Sequence, residues 1–273
     1  MGSMKLAVVV APPTAAFEAV VREPLIRALS LLRDYGFDGV ELSLLDPKSL
    51  KKTELAEMLE SYSLELAALS TGLNYIHYGL SLSSPDPVVR RKTVTRLLEF
   101  ADLASDFDSG VIIGLIRGKS ERGVSRDSAI RLVVEGLSEV CRSARDARFL
   151  LEPLNRYETD LINTVDEALN ILEEVGADNL YLLLDTFHMN IEEAIMEDSI
   201  RKAGRRIGHV HVADSNRLAP GMGHIDFKSI IGALREVGYE GFLSAEVIVK
   251  PSLEAVLDSV KRTLKPLLVS SLK

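Results

Sequence analysis

Short apolar runs alternate with longer amphipathic segments along the whole of this 273-residue chain, and that alternation constrains the fold more than any other feature. The runs are Leu6–Val10, Gly39–Leu44, Glu65–Ser70, Gly110–Ile116, Phe149–Glu152, Leu180–Asp185, Ile207–Val212 and Phe242–Val247. They are rich in Val, Ile and Leu without clear polar alternation, the pattern of strands covered on both faces. Between them the spacing turns helical. Phe227, Ile230, Ile231, Leu234 and Val237 form one such stripe, which stops at Gly238. Leu253, Val256, Leu257, Val260 and Leu264 repeat it after Pro251-Ser252, and Pro85-Asp86-Pro87 opens another through Val94, Leu97, Leu98 and Ala101. Two junctions echo each other near the chain's ends: Tyr35-Gly36-Phe37-Asp38-Gly39 and Val237-Gly238-Tyr239-Glu240-Gly241 each carry a helix stop into a strand. Eight strand–helix units in a chain of this length predict an α/β fold, the (β/α)8 TIM barrel. A doubly wound open sheet is disfavoured because no G-x-G-x-x-G follows the first strand, where Ala11-Pro12-Pro13 stands instead.

No linker, charge block or low-complexity tract divides the sequence, so a single barrel domain is expected over residues 4–273. Residues 1–3 read as a cloning scar before a native start at Met4. No apolar run approaches the roughly 20 residues needed to span a bilayer, and no signal peptide is visible, so a cytoplasmic protein without a membrane partner is expected. The one cysteine, Cys141, cannot form an internal disulfide, which fits a reducing compartment. A formal charge of −8 disfavours a nucleic-acid partner. The absence of Gln, with a single Cys, fits a thermophile's avoidance of labile residues.

On a barrel frame the C-terminal strand ends face the active site. Four successive strands finish with a polar residue directly after apolar ones: Glu152, Asp185, His211 and Glu246. A carboxylate at such a place is costly unless it is paired or binds a cation. Three carboxylates and one imidazole suit a divalent ion, and the oxygen-rich set favours Mn2+, Mg2+ or Co2+ over zinc. His209 and His211 alternate on one strand and so point the same way. His211, at the strand end, is the better ligand, and His209, a layer deeper, reads as a satisfied core histidine. His224 reads as a brace for its loop, and His77 as a loop residue.

The segments Glu152-Pro-Leu-Asn-Arg-Tyr-Glu158, Asp185-Thr-Phe-His188-Met-Asn, His211-Val-Ala-Asp-Ser-Asn-Arg217 and Ser244-Ala-Glu246 resemble the D-tagatose/D-psicose 3-epimerase group of the xylose-isomerase-like sugar isomerases and epimerases. By element order the resemblance spans essentially the whole chain, and its motifs cover about residues 149–247. It implies one divalent ion per subunit, Mn2+ foremost, held by Glu152, Asp185, His211 and Glu246. It also implies that Glu152 and Glu246 are the catalytic acid–base pair. Glu158, His188 and Arg217 correspond to contacts with substrate oxygens, and a homodimer or homotetramer is expected.

The implied reaction inverts the carbon beside the carbonyl of a ketose through an enediolate, with one carboxylate on each face of the sugar. A single base moving a proton between neighbouring carbons would instead give hydroxypyruvate or aldose–ketose isomerisation. Arg117 and Lys119, after the fourth strand, bring two cations toward the rim, where Arg117 could grip an anion. A keto-sugar acid such as tagaturonate or 5-ketogluconate is therefore an alternative substrate. Tyr75 and Phe187 could wall a sugar face. Apurinic endonucleases share the superfamily, but five histidines and a net acidic charge fit a multi-zinc DNA enzyme poorly. A catalytically silent sugar-binding barrel is the non-enzyme alternative, disfavoured because both presumptive bases are kept.

Overall fold

Eight parallel strands close into a ring in the computed structural model, which describes residues 3–269. Met1 and Gly2 of the expected cloning scar lie outside the described residues. In chain order the strands are β1 (Lys5–Ala11), β2 (Val21–Arg22), β3 (Gly39–Ser43), β4 (Glu65–Ser70), β5 (Gly110–Ile113), β6 (Arg148–Leu151), β7 (Leu180–Asp185), β8 (Ile207–Val212) and β9 (Phe242–Ala245). Leaving β2 aside, each pairs with the next around the barrel, β1 with β3, and β1 closes the ring on β9 from Lys5↔Phe242 to Val8↔Ala245. The two-residue β2 is an extra strand on β1, too short to carry a periodic signal. The expected (β/α)8 TIM barrel is the observed fold.

Alternation along each strand sorts side chains into two sets. Val111, Ile113, Phe149, Leu151, Leu182 and Leu184 face the helices and join the main core, together with Leu97, Leu137, Ile231 and Val260 from the helix stripes. The alternate residues Ala68, Ile112, Leu150 and Leu183 form a separate small cluster in the bore. Local sequence fixes the helix boundaries. The carboxylates of Asp86 and Asp226 accept the N–H groups of Val88 and Lys228 at the starts of helices Pro87–Ala104 and Phe227–Glu236. Gly36 (φ 71°) and Gly238 (φ 74°) supply the left-handed turns that lead back into β3 and β9. The fourth expected strand is shorter than its apolar run, because after Ile113 the chain coils into a 3₁₀ turn at Leu115–Arg117. His77, expected on a loop, lies in the helix Gly72–Tyr78. No helix among the described residues is long and apolar enough to cross a membrane.

Register places the site. β7 pairs with β8 at Asp185↔His211, and β8 pairs with β9 at His211↔Ser244, two residues before Glu246. On the other side, the N–H of Glu152 continues the β5–β6 ladder by donating to the Ile113 carbonyl at 3.2 Å.

Candidate active site

Glu152, Asp185, His211 and Glu246 converge at the C-terminal end of the bore, each offering one ligand atom within 4.8 Å of the others. His211 Nδ1 lies 3.6 Å from Glu152 Oε1, 3.9 Å from Asp185 Oδ2 and 3.7 Å from Glu246 Oε2. These separations are too long for hydrogen bonds. Among the described residues, neither His211 Nδ1 nor Glu152 Oε1 finds a hydrogen-bond partner, although both atoms are buried. Unsatisfied buried donor atoms converging in this way fit a bound divalent cation. Asp185 also caps the helix Thr186–Glu192: one oxygen accepts the Phe187 N–H at 2.8 Å, and the other faces the cluster.

The local charges are strongly biased. Arg217 donates to Asp185 Oδ2 at 2.6 Å and also bonds Glu246, so one guanidinium offsets part of the charge of three carboxylates. Burial pushes Glu246 up to about 8, against the lowering pull of Arg217 and His211. Burial would also raise Asp185, but Arg217, His188 and His211 outweigh it and hold that carboxyl at about 2.

His188, Arg217 and Glu158 all line one cavity of about 430 Å³ with Glu152, His211 and Glu246, a size that suits a small molecule. His188 Nδ1 accepts the backbone N–H of Asn155 at 3.3 Å, so its Nε2 carries the proton. The Asn155 side chain adds a contact to Nδ1 at 2.7 Å. Nε2 points into the cluster, 3.8 Å from Asp185 and 4.0 Å from Glu152. Burial lowers this ring to about 4, so near neutral pH it is an uncharged donor. Phe187 walls the cavity, and the Arg217 guanidinium stacks over its ring at 4.7 Å. Tyr75 packs against the core and does not line the cavity. Glu158 is exposed at the mouth.

Arg117 is where the structure departs from expectation. Its side chain is completely buried (0 % exposed) and turned away from the cavity. Nη1 donates to the carbonyls of Gly114 and Glu152 at 3.0 and 2.7 Å, and Nη2 to those of Leu161 and Ile162 at 2.8 and 3.0 Å. With both terminal nitrogens committed to carbonyls, it cannot grip a substrate anion. It ties the end of β6 to the loop that returns past Glu158. Lys119 is exposed and also lies outside the cavity lining.

Three contributors are absent from the sequence-based expectations. Glu41 sits mid-strand on β3, fully buried, against His209 and His211. A lone Glu inside the apolar run Gly39-Val-Glu-Leu-Ser43 carries the same cost signal as the four strand ends, but it falls mid-strand rather than at the end. Asn155, within the Glu152–Glu158 motif, sets the His188 tautomer. Gly114 leaves room for Glu152: a Cβ built there would lie 2.3 Å from Glu152 Oε2. His209 is a satisfied buried histidine, and His224 bonds Ser215 at 2.9 Å within its loop, as read from the sequence.

Fold and site together define a class, an enzyme barrel with its polar cluster at the C-terminal strand ends. The family model for the xylose isomerase-like TIM barrel matches residues 29–266. Over 225 residues the chain is 37% identical to an L-ribulose 3-epimerase of Mesorhizobium japonicum, covering 81% of this chain and 74% of that protein. A D-psicose 3-epimerase of Enterocloster bolteae is 33% identical over 218 residues, covering 76% and 71%. A solved L-ribulose 3-epimerase structure superposes with a TM-score of 0.83 at 30% identity, covering 97% of this chain and 94% of the other. The chain belongs to the xylose isomerase-like TIM barrel family and, within it, to the D-tagatose/D-psicose 3-epimerase group. It is an isomerase of the carbohydrate epimerase type.

Proposed function

We propose that the protein is a divalent-metal-dependent epimerase of free, uncharged ketoses, inverting C3 beside the carbonyl. The observation that carries this reading is the convergence of three carboxylates and one imidazole within 4.8 Å in a cavity of about 430 Å³. Glu152, Asp185, His211 and Glu246 would hold one ion, with Mn2+ favoured by the oxygen-rich set and Mg2+ and Co2+ as alternatives. When bound, such an ion supplies Lewis-acid stabilisation of the negative charge that develops on the sugar oxygens as the C3 proton leaves.

The chain's own residues do the rest. Glu152 after β6 and Glu246 after β9 approach from separate strands, which lets one carboxylate remove the proton and the other return one to the opposite face. His188 Nε2–H and Arg217 donate to substrate oxygens, and Glu158 accepts from a hydroxyl at the mouth.

The lining favours a neutral substrate over a keto-sugar acid. Among the described residues that line the cavity, Arg217 is the sole Arg or Lys, and it already serves Asp185 and Glu246. Glu18 and Glu158 stand in the lining as acids, and Ala16, Leu73, Ile76, Leu115 and Leu154 offer apolar walls. An oligomer of two or four subunits is proposed from the family resemblance.

The test is product analysis by chromatography after Mn2+-loaded protein is incubated separately with fructose, tagatose, ribulose and tagaturonate. C3 epimers of the free ketoses with no turnover of tagaturonate are expected. Preferential turnover of tagaturonate would overturn the neutral-substrate reading.

A further inference from the structure

We infer that Glu41 is a positioning residue, which fixes the His211 ring so that Nδ1 faces Glu152, Asp185 and Glu246. This rests on the metal reading proposed above. Glu41 is fully buried on β3 and forms no part of the cavity lining, so a sugar does not reach it. Its carboxylate faces inward across the bore. His211 Nε2 lies 3.1 Å from Oε1 and 3.0 Å from Oε2, and His209 Nε2 lies 2.9 Å from Oε2. The Ser70 hydroxyl donates to Oε1. The two imidazoles meet edge-on, with centroids 5.4 Å apart and planes 81° apart, so His209 supports the His211 ring from the layer below.

The chemistry follows from which nitrogen carries the proton. A carboxylate accepts only, so in its neutral form the His211 ring donates Nε2–H to Glu41 and leaves the Nδ1 lone pair free. Nδ1 is the atom that faces the three strand-end carboxylates and has no hydrogen-bond partner. Among the described residues, His211 Nε2 has no other hydrogen-bond partner to select that tautomer. A histidine ligand whose far nitrogen donates to a carboxylate is both oriented and made more basic, and losing such a partner typically weakens metal binding by about 10–100-fold. Core packing alone gives no reason for a charged residue here, since an apolar side chain would fill the bore without the desolvation cost.

The test is calorimetric titration of Mn2+ into the metal-free forms of the unaltered protein, Glu41→Gln, His211→Ala and the double variant. The unaltered protein should bind one equivalent, and E41Q should bind about 10–100-fold more weakly. In the His211→Ala background, E41Q should add little further loss, because the effect passes through that ring. Equal affinity in E41Q and the unaltered protein overturns this inference and leaves the metal reading standing. An equal loss in both backgrounds shows only general damage to the bore and also overturns it. No binding by the unaltered protein removes the metal reading, and this inference with it. Should E41Q fail to fold, nitrogen NMR of histidine-labelled, Mg2+-loaded unaltered protein decides the matter. His211 protonated at Nε2 and bare at Nδ1 supports the inference, and the opposite tautomer overturns it.

Discussion

Gly114→Ala is expected to damage the site while sparing the fold. Gly114 follows β5 at the rim of the bore, and a Cβ there would lie 2.3 Å from Glu152 Oε2 and 3.5 Å from its carboxyl carbon. A relaxed contact needs roughly 1 Å more. The cheapest relief is movement of the carboxylate, because it is the end of a flexible side chain while Gly114 sits on the barrel wall. Glu152 Oε1 makes no hydrogen bond that would resist the shift. Stability should therefore change little: at about 1 kcal/mol the melting temperature moves by only ~2–4 °C in a domain of this size. A displacement of about 1 Å in a catalytic group costs on the order of 100-fold in rate, or about 2.7 kcal/mol of transition-state stabilisation. Steady-state kinetics on the preferred ketose with saturating Mn2+, alongside thermal denaturation, separate the two effects. A near-native melting temperature with kcat/KM down about 100-fold is the expected result. Unchanged kcat/KM would show that Glu152 needs no fixed position, and would refute the reasoning.

Glu246→Gln should lower kcat by roughly 10²–10⁴-fold while leaving sugar binding measurable by equilibrium dialysis; near-native turnover would remove Glu246 from the proton-transferring pair. Arg117→Ala leaves the buried carbonyls of Gly114, Glu152, Leu161 and Ile162 without their donor. At about 1–3 kcal/mol per orphaned group the variant should melt far below the parent, and its residual activity should keep the same preference for neutral over acidic sugars. A selective loss of activity on tagaturonate would restore Arg117 as an anion contact. Mn2+ affinity should tighten as pH rises from 6 to 8, because the ion must displace the proton that burial holds on Glu246 up to about 8. For the same raised carboxyl, the Glu246 contribution to stability of the metal-free protein is fully present below its unfolded value near 4.5 and is lost as pH rises through about 8. Titration calorimetry across that range checks the affinity trend, and a flat profile would contradict it.

The barrel was legible because each strand is an apolar run and each helix carries a 3.6-residue stripe, signals that survive without knowledge of neighbours. The four strand-end residues were legible for a related reason: a charge after an apolar run conflicts with its surroundings unless something compensates it. Glu41 poses the same conflict, but its partners His209 and His211 lie 168 and 170 residues away in sequence, and only closure of the ring brings β3 across from β8. Arg117 shows the converse failure. A cation following a strand reads as a rim group, whereas its direction is set by the turn at Leu115–Arg117 and by carbonyls some 45 residues distant. Gly114 could not be read at all, because its role is the space it leaves for another chain segment.

The proposed reaction moves the proton at C3 of a ketose between two carboxylates. NMR of Mn2+-loaded protein with its preferred free ketose in D₂O, the metal removed before measurement, tests it most directly. Deuterium at C3 of the epimerised product, with none at C1, is predicted. Deuterium at C1 with formation of an aldose, or epimer formation without any label, would contradict it.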